Sequence, residues 1–277
     1  IYFGGGTPSI IENSLIKDII DKIINKYNVK NNCEITLEVN PDDINKKKLN
    51  SWKKIGINRL SVGVQSFNND LLKKLNRTHS AKVALDSIKN IKKIFNNYSI
   101  DLMFGTPGSS KDTIKKDLSI LKKINPPHVS IYNMTLEKRT VFYKLFKNNK
   151  MSLPSEKSVL DQYYLILNEL ERLGYENYEI SNYARNNFHS KHNSNYWNNI
   201  EYIGYGPSAH SYDKMYRYWN VSDNKEYIRL INKGKKVYEK EKLTKTEKLN
   251  EYILTRIRTK RGIDQKELLK TFNIDFF

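Results

Sequence analysis

At 277 residues the chain is long enough to bury a substantial core, so one large α/β unit with an appendage is expected. Lys and Arg number 48 against 30 Asp and Glu, a formal net charge of +18 that raises nucleic acid, anionic lipid or a small anion as partners. The surplus sits in runs such as Asn45-Lys46-Lys47-Lys48, Lys92-Lys93 and Lys147-Asn148-Asn149-Lys150, where AT-rich codon bias filling solvated faces is the stronger account of it.

Without a run of about eighteen apolar residues or a secretory leader, a soluble, cytoplasmic protein is the expectation. The single cysteine, Cys33, excludes an internal disulfide and any multi-cysteine metal site within this sequence. The first residue is Ile rather than Met, and Phe272-Asn273-Ile274-Asp275-Phe276-Phe277 stops inside an apolar pattern, so both ends are expected to be cut.

In chain order, Ile1-Tyr2-Phe3 reads as a strand that runs into Gly4-Gly5-Gly6 and then Thr7-Pro8-Ser9, which fit a helix cap and first turn. Three glycines let a backbone turn tightly and approach a ligand. Free N–H groups at a strand-to-helix junction suit a carboxylate or phosphate, and a plain tight turn is the alternative. Ile11, Leu15, Ile16, Ile19, Ile20, Ile23, Ile24 and Tyr27 then recur at helical steps. Ile35 to Val39 is a strand ending at Asn40-Pro41, followed by a helix from Asp42 or Asp43 that Gly56 stops. Arg59 to Val64 is a strand delivering Gln65 at its end. Helical pattern returns at Leu71 to Leu75 and Val83 to Phe95. Tyr98 to Phe104 is a strand closed by Gly105-Thr106-Pro107-Gly108, Ile114 to Ile124 marks its helix, and Val129 to Asn133 is a fifth strand.

Strands alternating with helices argue for parallel βα units with right-handed crossovers. Polar or glycine signals fall at strand carboxyl ends: Gly4 to Gly6, Glu38, Gln65, Asp101 with Gly105, and Asn133. That spread favours a barrel, complete or partial, over an open doubly wound sheet, whose ligands gather at one switch point. From Ser155 the texture changes. A helix from Val159 to Leu173 leads into a Tyr-, Asn- and Gly-rich stretch up to Tyr218, expected as short strands and turns, and a basic helical tail from Thr244.

Six stretches in order carry a resemblance: Gly4 to Ser9, Glu38-Val39-Asn40-Pro41, Arg59 to Phe67, Arg77-Thr78-His79, Asp101 to Gly108, and His192-Asn193 through Trp197. With these the chain resembles, over nearly its whole length, the radical S-adenosylmethionine proteins related to oxygen-independent coproporphyrinogen III oxidase, most nearly the HemW branch of heme chaperones. The resemblance implies an α/β fold, a partial (βα)6 radical-SAM barrel over 1–150 with its first βα unit missing. A C-terminal α+β and helical region, expected to be truncated, fills 151–277.

It also implies S-adenosylmethionine bound across the strand ends against a [4Fe-4S] cluster. Gly5, Gly6 and Thr7 would meet the methionine end, Glu38 the ribose hydroxyls, Gln65, Arg77 and Asp101 further polar groups, and His210 the adenine side. The bidentate fork of Arg77 suits the methionine carboxylate. The family's Cys-x3-Cys-x2-Cys loop is absent, and clusters need several thiolates, so the cluster ligands are expected upstream of residue 1.

In this resemblance the HNxxY stretch belongs to the heme-binding branch, with His192 a candidate iron ligand and Tyr196 a flat contact or second ligand; a loop-bound structural histidine is the other reading. The implied function is heme binding and delivery to heme-acceptor proteins, with a transient membrane-protein partner admitted. The alternatives are coproporphyrinogen III decarboxylation and, from charge alone, nucleic-acid binding, which is not expected.

Overall fold

Polar and apolar residues alternate along the first strands, and the pairing register gathers the polar set on one face. The structure, a computed structural model, describes residues 1–275; Phe276 and Phe277 of the apolar ending lie outside the described residues. Strands β1 (Tyr2–Phe3), β2 (Thr36–Val39), β3 (Arg59–Gln65), β4 (Tyr98–Phe104) and β5 (His128–Asn133) lie side by side and parallel. Pairing sets Tyr2 opposite Thr36, Glu38 opposite Ser61, Ser61 opposite Ser99, Gly63 opposite Asp101 and Asp101 opposite Ser130. Side chains alternate faces along a strand, so these polar residues share one face.

The opposite face carries Leu37, Leu60, Val62, Ile100 and Val129, all fully buried. Crossover helices α1 (Asn13–Lys26), α2 (Lys46–Lys54), α3 (Asn69–Lys74), α4 (Ala81–Lys92) and α5 (Lys111–Ile124) cover the sheet, contributing Ile16, Trp52, Ile88 and Leu121 to the same core. Each such buried aliphatic side chain, Ile16, Ile88 and Leu121 among them, contributes about 1.5–3 kcal/mol by leaving water. Asn68 and Ser80 cap α3 and α4, and a reciprocal pair, Ser110 with Thr113, caps α5.

After α6 (Val141–Lys147), α7 (Glu156–Arg172) packs on α5, and the hairpin β6 (Glu176–Glu179) and β7 (Asn182–Ala184) joins the sheet antiparallel to β5. The seven-stranded order is β1-β2-β3-β4-β5-β7-β6, unclosed between β1 and β6. The expected α/β class, a partial βα barrel, is the architecture found, with the sheet left unclosed. The unit boundary differs from the expected 150/151: the compact units are Ile1–His189 and Ser190–Phe277. The reason is that α7 buries Ile166 and Leu170 in the first core and the β6–β7 hairpin extends the first sheet.

The second unit contains α8 (Lys191–Trp197), a three-stranded antiparallel sheet of β8 (His210–Tyr212), β9 (Tyr216–Asn220) and β10 (Tyr238–Lys242) in the order β10-β9-β8, and α9 (Asn224–Asn232), α10 (Lys245–Arg256) and α11 (Gln265–Phe272). Tyr252, Leu268 and Phe272 form its core. Buried Arg256 donates to Trp197 O at 3.2 Å and Asn198 Oδ1 at 3.0 Å, fixing the end of α8. The expected strands and turns between 175 and 218 are joined by α8, a helix the periodicity did not signal. Seven residues make only about two turns, too few for a repeating apolar face, and Ser190 capping Asn193 N–H is the local reason it forms.

Candidate functional site

The glycine run does not open a helix. Thr7 precedes a 3-10 turn over Pro8–Ile10, and α1 begins only at Asn13, so no α-helix N-terminus faces the loop. The loop closes instead on a carboxylate: Gly5 N–H donates to Glu38 Oε2 at 3.2 Å, and Tyr2 Oη donates to Glu38 Oε1 at 2.7 Å. A Cβ on Gly4 would lie 2.7 Å from Tyr2 Cε1 and 2.8 Å from Glu38 Cδ, whereas one on Gly6 meets nothing within 4 Å. Gly4 is thus required by close packing, while Gly6 borders open space.

That space is a cavity of about 550 Å³ at the carboxyl ends of the strands, within the size range of small-molecule sites. Gly6, Thr7, Glu38, Gln65, Arg77 and Asp101 all line it, together with Tyr2, Asn40, Ser61, Met103, Tyr132 and Asn133. Gly5 faces Glu38 from the loop. Gln65 holds φ 67° at a bulge where the β3–β4 register shifts. A non-glycine residue there is strained by roughly 1–3 kcal/mol, which turns its amide off the strand's alternation and towards the cavity. Arg77 donates through Nη2 to Asn40 Oδ1 at 2.7 Å and to Gly63 O at 3.1 Å, so the guanidinium is fixed at the rim.

Asp101 sits in a cage of hydroxyls. Ser61 Oγ donates to its Oδ2 and Ser99 Oγ to its Oδ1, each at 2.7 Å. Burial raises the pKa of Asp101, opposed by these serines, by Ser130 and by the buried guanidinium of Arg59. Burial likewise raises Glu38, opposed by its bonds from Tyr2 and Gly5 and reinforced by the charge of Asp101. Behind Asp101 the hydrogen bonds run in one direction. Ser99 Oγ commits its proton to Asp101, so His128 Nδ1, 2.9 Å from Ser99 Oγ, carries a hydrogen and donates to it. His128 Nε2 then accepts from Tyr178 Oη at 2.8 Å. Full burial, with Arg59 nearby, drives His128 well below its ordinary pKa and keeps it neutral.

The remaining expected residues lie in the second unit. His192 and Tyr196 stand one helical turn apart on α8, with ring centroids 4.8 Å apart at 88°. Tyr196 continues edge-on to Tyr202 at 4.7 Å, and Tyr202 meets Tyr212 at 6.3 Å. A cavity of about 380 Å³ is lined by Tyr196, Trp197, Tyr202, Tyr212, Arg217, Glu251, Leu254 and His210. His210, expected on the adenine side of the first cavity, therefore lines the aromatic cavity of the second unit. β8 sets His210 and Tyr212 two residues apart, on one face of its strand.

Residues 1–121 match the model of the Radical SAM superfamily. A relative from Bacillus subtilis (strain 168), "Heme chaperone HemW", is 34% identical over 275 residues, which are 98% of this chain and 73% of the relative. The chain belongs to the HemW family. Another HemW protein, from Buchnera aphidicola subsp. Schizaphis graminum (strain Sg), is 43% identical over 210 residues, 76% of this chain and 55% of that relative. The chain thus spans only part of the length of these HemW proteins. Among solved structures, coproporphyrinogen III oxidase (HemN) from Escherichia coli, a radical SAM enzyme, superposes with a TM-score of 0.84 over 99% of this chain and 66% of that one. At 20% identity that likeness is one of fold.

The motifs assigned no site role to Tyr2, Asn40, Arg59, His128 or the three serines, which bond to the site residues or stand next behind them. Their signal was present in the strand alternation: Ser61 and Gly63 in β3, Ser99 and Asp101 in β4, and His128 and Ser130 in β5 are the polar phase of three strands. Only the register shows that the three phases meet.

Proposed function

We propose that this chain is the core of a heme carrier that binds S-adenosylmethionine in the first unit and heme in the second. The first cavity's residues fit the cofactor. Glu38, with each oxygen holding one internal donor, has acceptor capacity left for ribose hydroxyls, and Arg77 offers a fixed guanidinium for the methionine carboxylate. The open backbone at Gly6 admits the methionine end, and Gln65 and Asp101 add polar groups. Cys33 alone cannot supply the several thiolates of a [4Fe-4S] cluster, so the cluster ligands are proposed to lie outside this sequence. When bound, cofactor and cluster supply one-electron chemistry; this chain's residues bind and orient the cofactor, Glu38 and Asp101 as hydrogen-bonded carboxyl groups at its edge.

The observation that carries the heme reading is the aromatic cavity lined by Tyr196, Tyr202, Tyr212 and His210, with His192 packed edge-on against Tyr196 on α8. Flat aromatic walls suit a porphyrin ring, and imidazole is a usual ligand of its iron. Coproporphyrinogen decarboxylation, the alternative, draws only on likeness of fold, and fold does not carry function. The test is anaerobic titration of the intact protein with heme, followed at the Soret band, beside product analysis with coproporphyrinogen III. Saturable heme binding without vinyl products supports the carrier; decarboxylated products would replace it with the enzyme.

A further inference from the structure

We propose that His210 is the imidazole the aromatic cavity presents to a heme iron, and that His192 acts behind it as a positioning residue for Tyr196. The inference rests on the carrier reading and names the ligand within it. Among the described residues His192 does not line the cavity; its ring abuts Tyr196, which does. His210 lines the cavity and is exposed, and its imidazole has no hydrogen-bond or ion-pair partner among the described residues. A metal-ligating nitrogen needs that freedom, while a histidine packed edge-on against a tyrosine is suited to hold the ring.

The backbone around His210 is fixed even though its side chain is unengaged. A Cβ on Gly204 would lie 2.1 Å from His210 O, so the loop crosses β8 at the closest approach a backbone allows. Gly204 N–H donates to Ser211 Oγ at 2.9 Å, and Asn220 Nδ2 donates to Gly206 O at 2.8 Å, tying that loop to β8 and β9. β8 sets His210 on the same face as Tyr212, and β9 sets Arg217 opposite Tyr212. Imidazole and flat walls therefore belong to one rigid surface.

The rest of the cavity suits the macrocycle more than its carboxylates. Tyr196, Tyr202, Tyr212 and Trp197 give ring surfaces, and the one guanidinium of the lining, Arg217, is neutralised by Glu251 at 2.9 Å. A cavity of about 380 Å³ holds part of a porphyrin and leaves the rest accessible, which suits cargo that must be handed on.

The test titrates the intact protein with hemin and, separately, with iron-free protoporphyrin IX. For His210→Gln the expected result is at least a tenfold weaker hemin affinity and loss of the imidazole-ligated Soret spectrum. Added imidazole should restore the spectrum, and protoporphyrin affinity should stay within about twofold of the parent, which also verifies that the variant is folded. His192→Ala should weaken hemin and protoporphyrin together, because it loosens a wall rather than removing a ligand. If the parent binds hemin and His210→Gln binds it with unchanged affinity and spectrum, His210 is not the ligand and the carrier reading stands. If His210→Gln instead weakens S-adenosylmethionine binding alone, the adenine-side role replaces this one. If the parent binds no hemin, the carrier reading itself falls.

Discussion

Tyr2 Oη donates a 2.7 Å hydrogen bond to Glu38 Oε1, joining two strands across 36 residues of sequence. This bond lowers the Glu38 pKa against the dominant effect of burial, and burial together with Glu38 pushes the Tyr2 phenol far above its ordinary value. Tyr2→Phe removes one of two donors from a half-buried carboxylate. The expected cost is about 1 kcal/mol of unfolding free energy, read by urea denaturation. S-Adenosylmethionine affinity, measured by equilibrium dialysis, should fall severalfold, and more at pH 6 than at pH 8, because Glu38 protonates more readily. Equal affinity in parent and variant would separate Glu38 from the ligand.

Gly4 and Gly6 should respond differently to the same methyl group. Gly4→Ala drives a Cβ into Tyr2 and Glu38, so both thermal stability and ligand affinity should drop. Gly6→Ala meets nothing in the protein, so its melting temperature should stay within about a degree while affinity falls roughly tenfold or more. An unaffected affinity in Gly6→Ala would mean that no ligand passes that backbone.

The chain Tyr178–His128–Ser99–Asp101 is fully directed, so His128 acts as a positioning residue for the Asp101 carboxylate. His128→Gln leaves Ser99 without its donor and a buried polar group unmatched, at a cost of roughly 1–3 kcal/mol. Tyr178→Phe removes only the outer donor, and a smaller loss is expected. If Asp101 holds the cofactor, the affinity of both variants should shift its pH dependence; a uniform loss at every pH would mark the chain as structural only.

Asp117 and Glu179 make the fold more stable in mild acid. Asp117, bonded by Ser66 Oγ at 2.8 Å and Phe67 N–H at 2.9 Å, is raised to about 6 by burial, and Glu179 to about 7 by the same cause. Between each unfolded pKa near 4 and these folded values the native state binds more protons, so stability falls as pH rises through that window. Asp117 alone accounts for up to about 3 kcal/mol of this fall, since each tenfold difference in proton affinity between folded and unfolded chain is worth about 1.36 kcal/mol. Urea denaturation should show a lower unfolding free energy at pH 8 than at pH 5, with a smaller difference in Asp117→Asn. A rise from pH 5 to pH 8 would contradict the assignment.

The sequence by itself determined the βα alternation, the helices α1, α2, α4, α5 and α7, and the placing of Glu38, Gln65, Asp101 and Asn133 at or near strand ends. These are local properties: a helical or alternating period repeats within a dozen residues, and a turn signal sits beside the strand it ends. Family membership was legible for the same reason, because its motifs are short and ordered. The tertiary structure decided what distant residues do to one another. Ser61 and Asp101 meet across 40 positions only because β3 and β4 pair in one register, and a slip of one residue would turn every serine away. The short helix α8 was hidden because two turns carry no period, and the unit boundary at 189/190 because α7 and the β6–β7 hairpin bury themselves in a core built from earlier strands. His210 is the sharpest case. The resemblance implied an adenine-side place for it, and pairing with β9 sets it on the face of Tyr212, in the cavity that Tyr196 also lines.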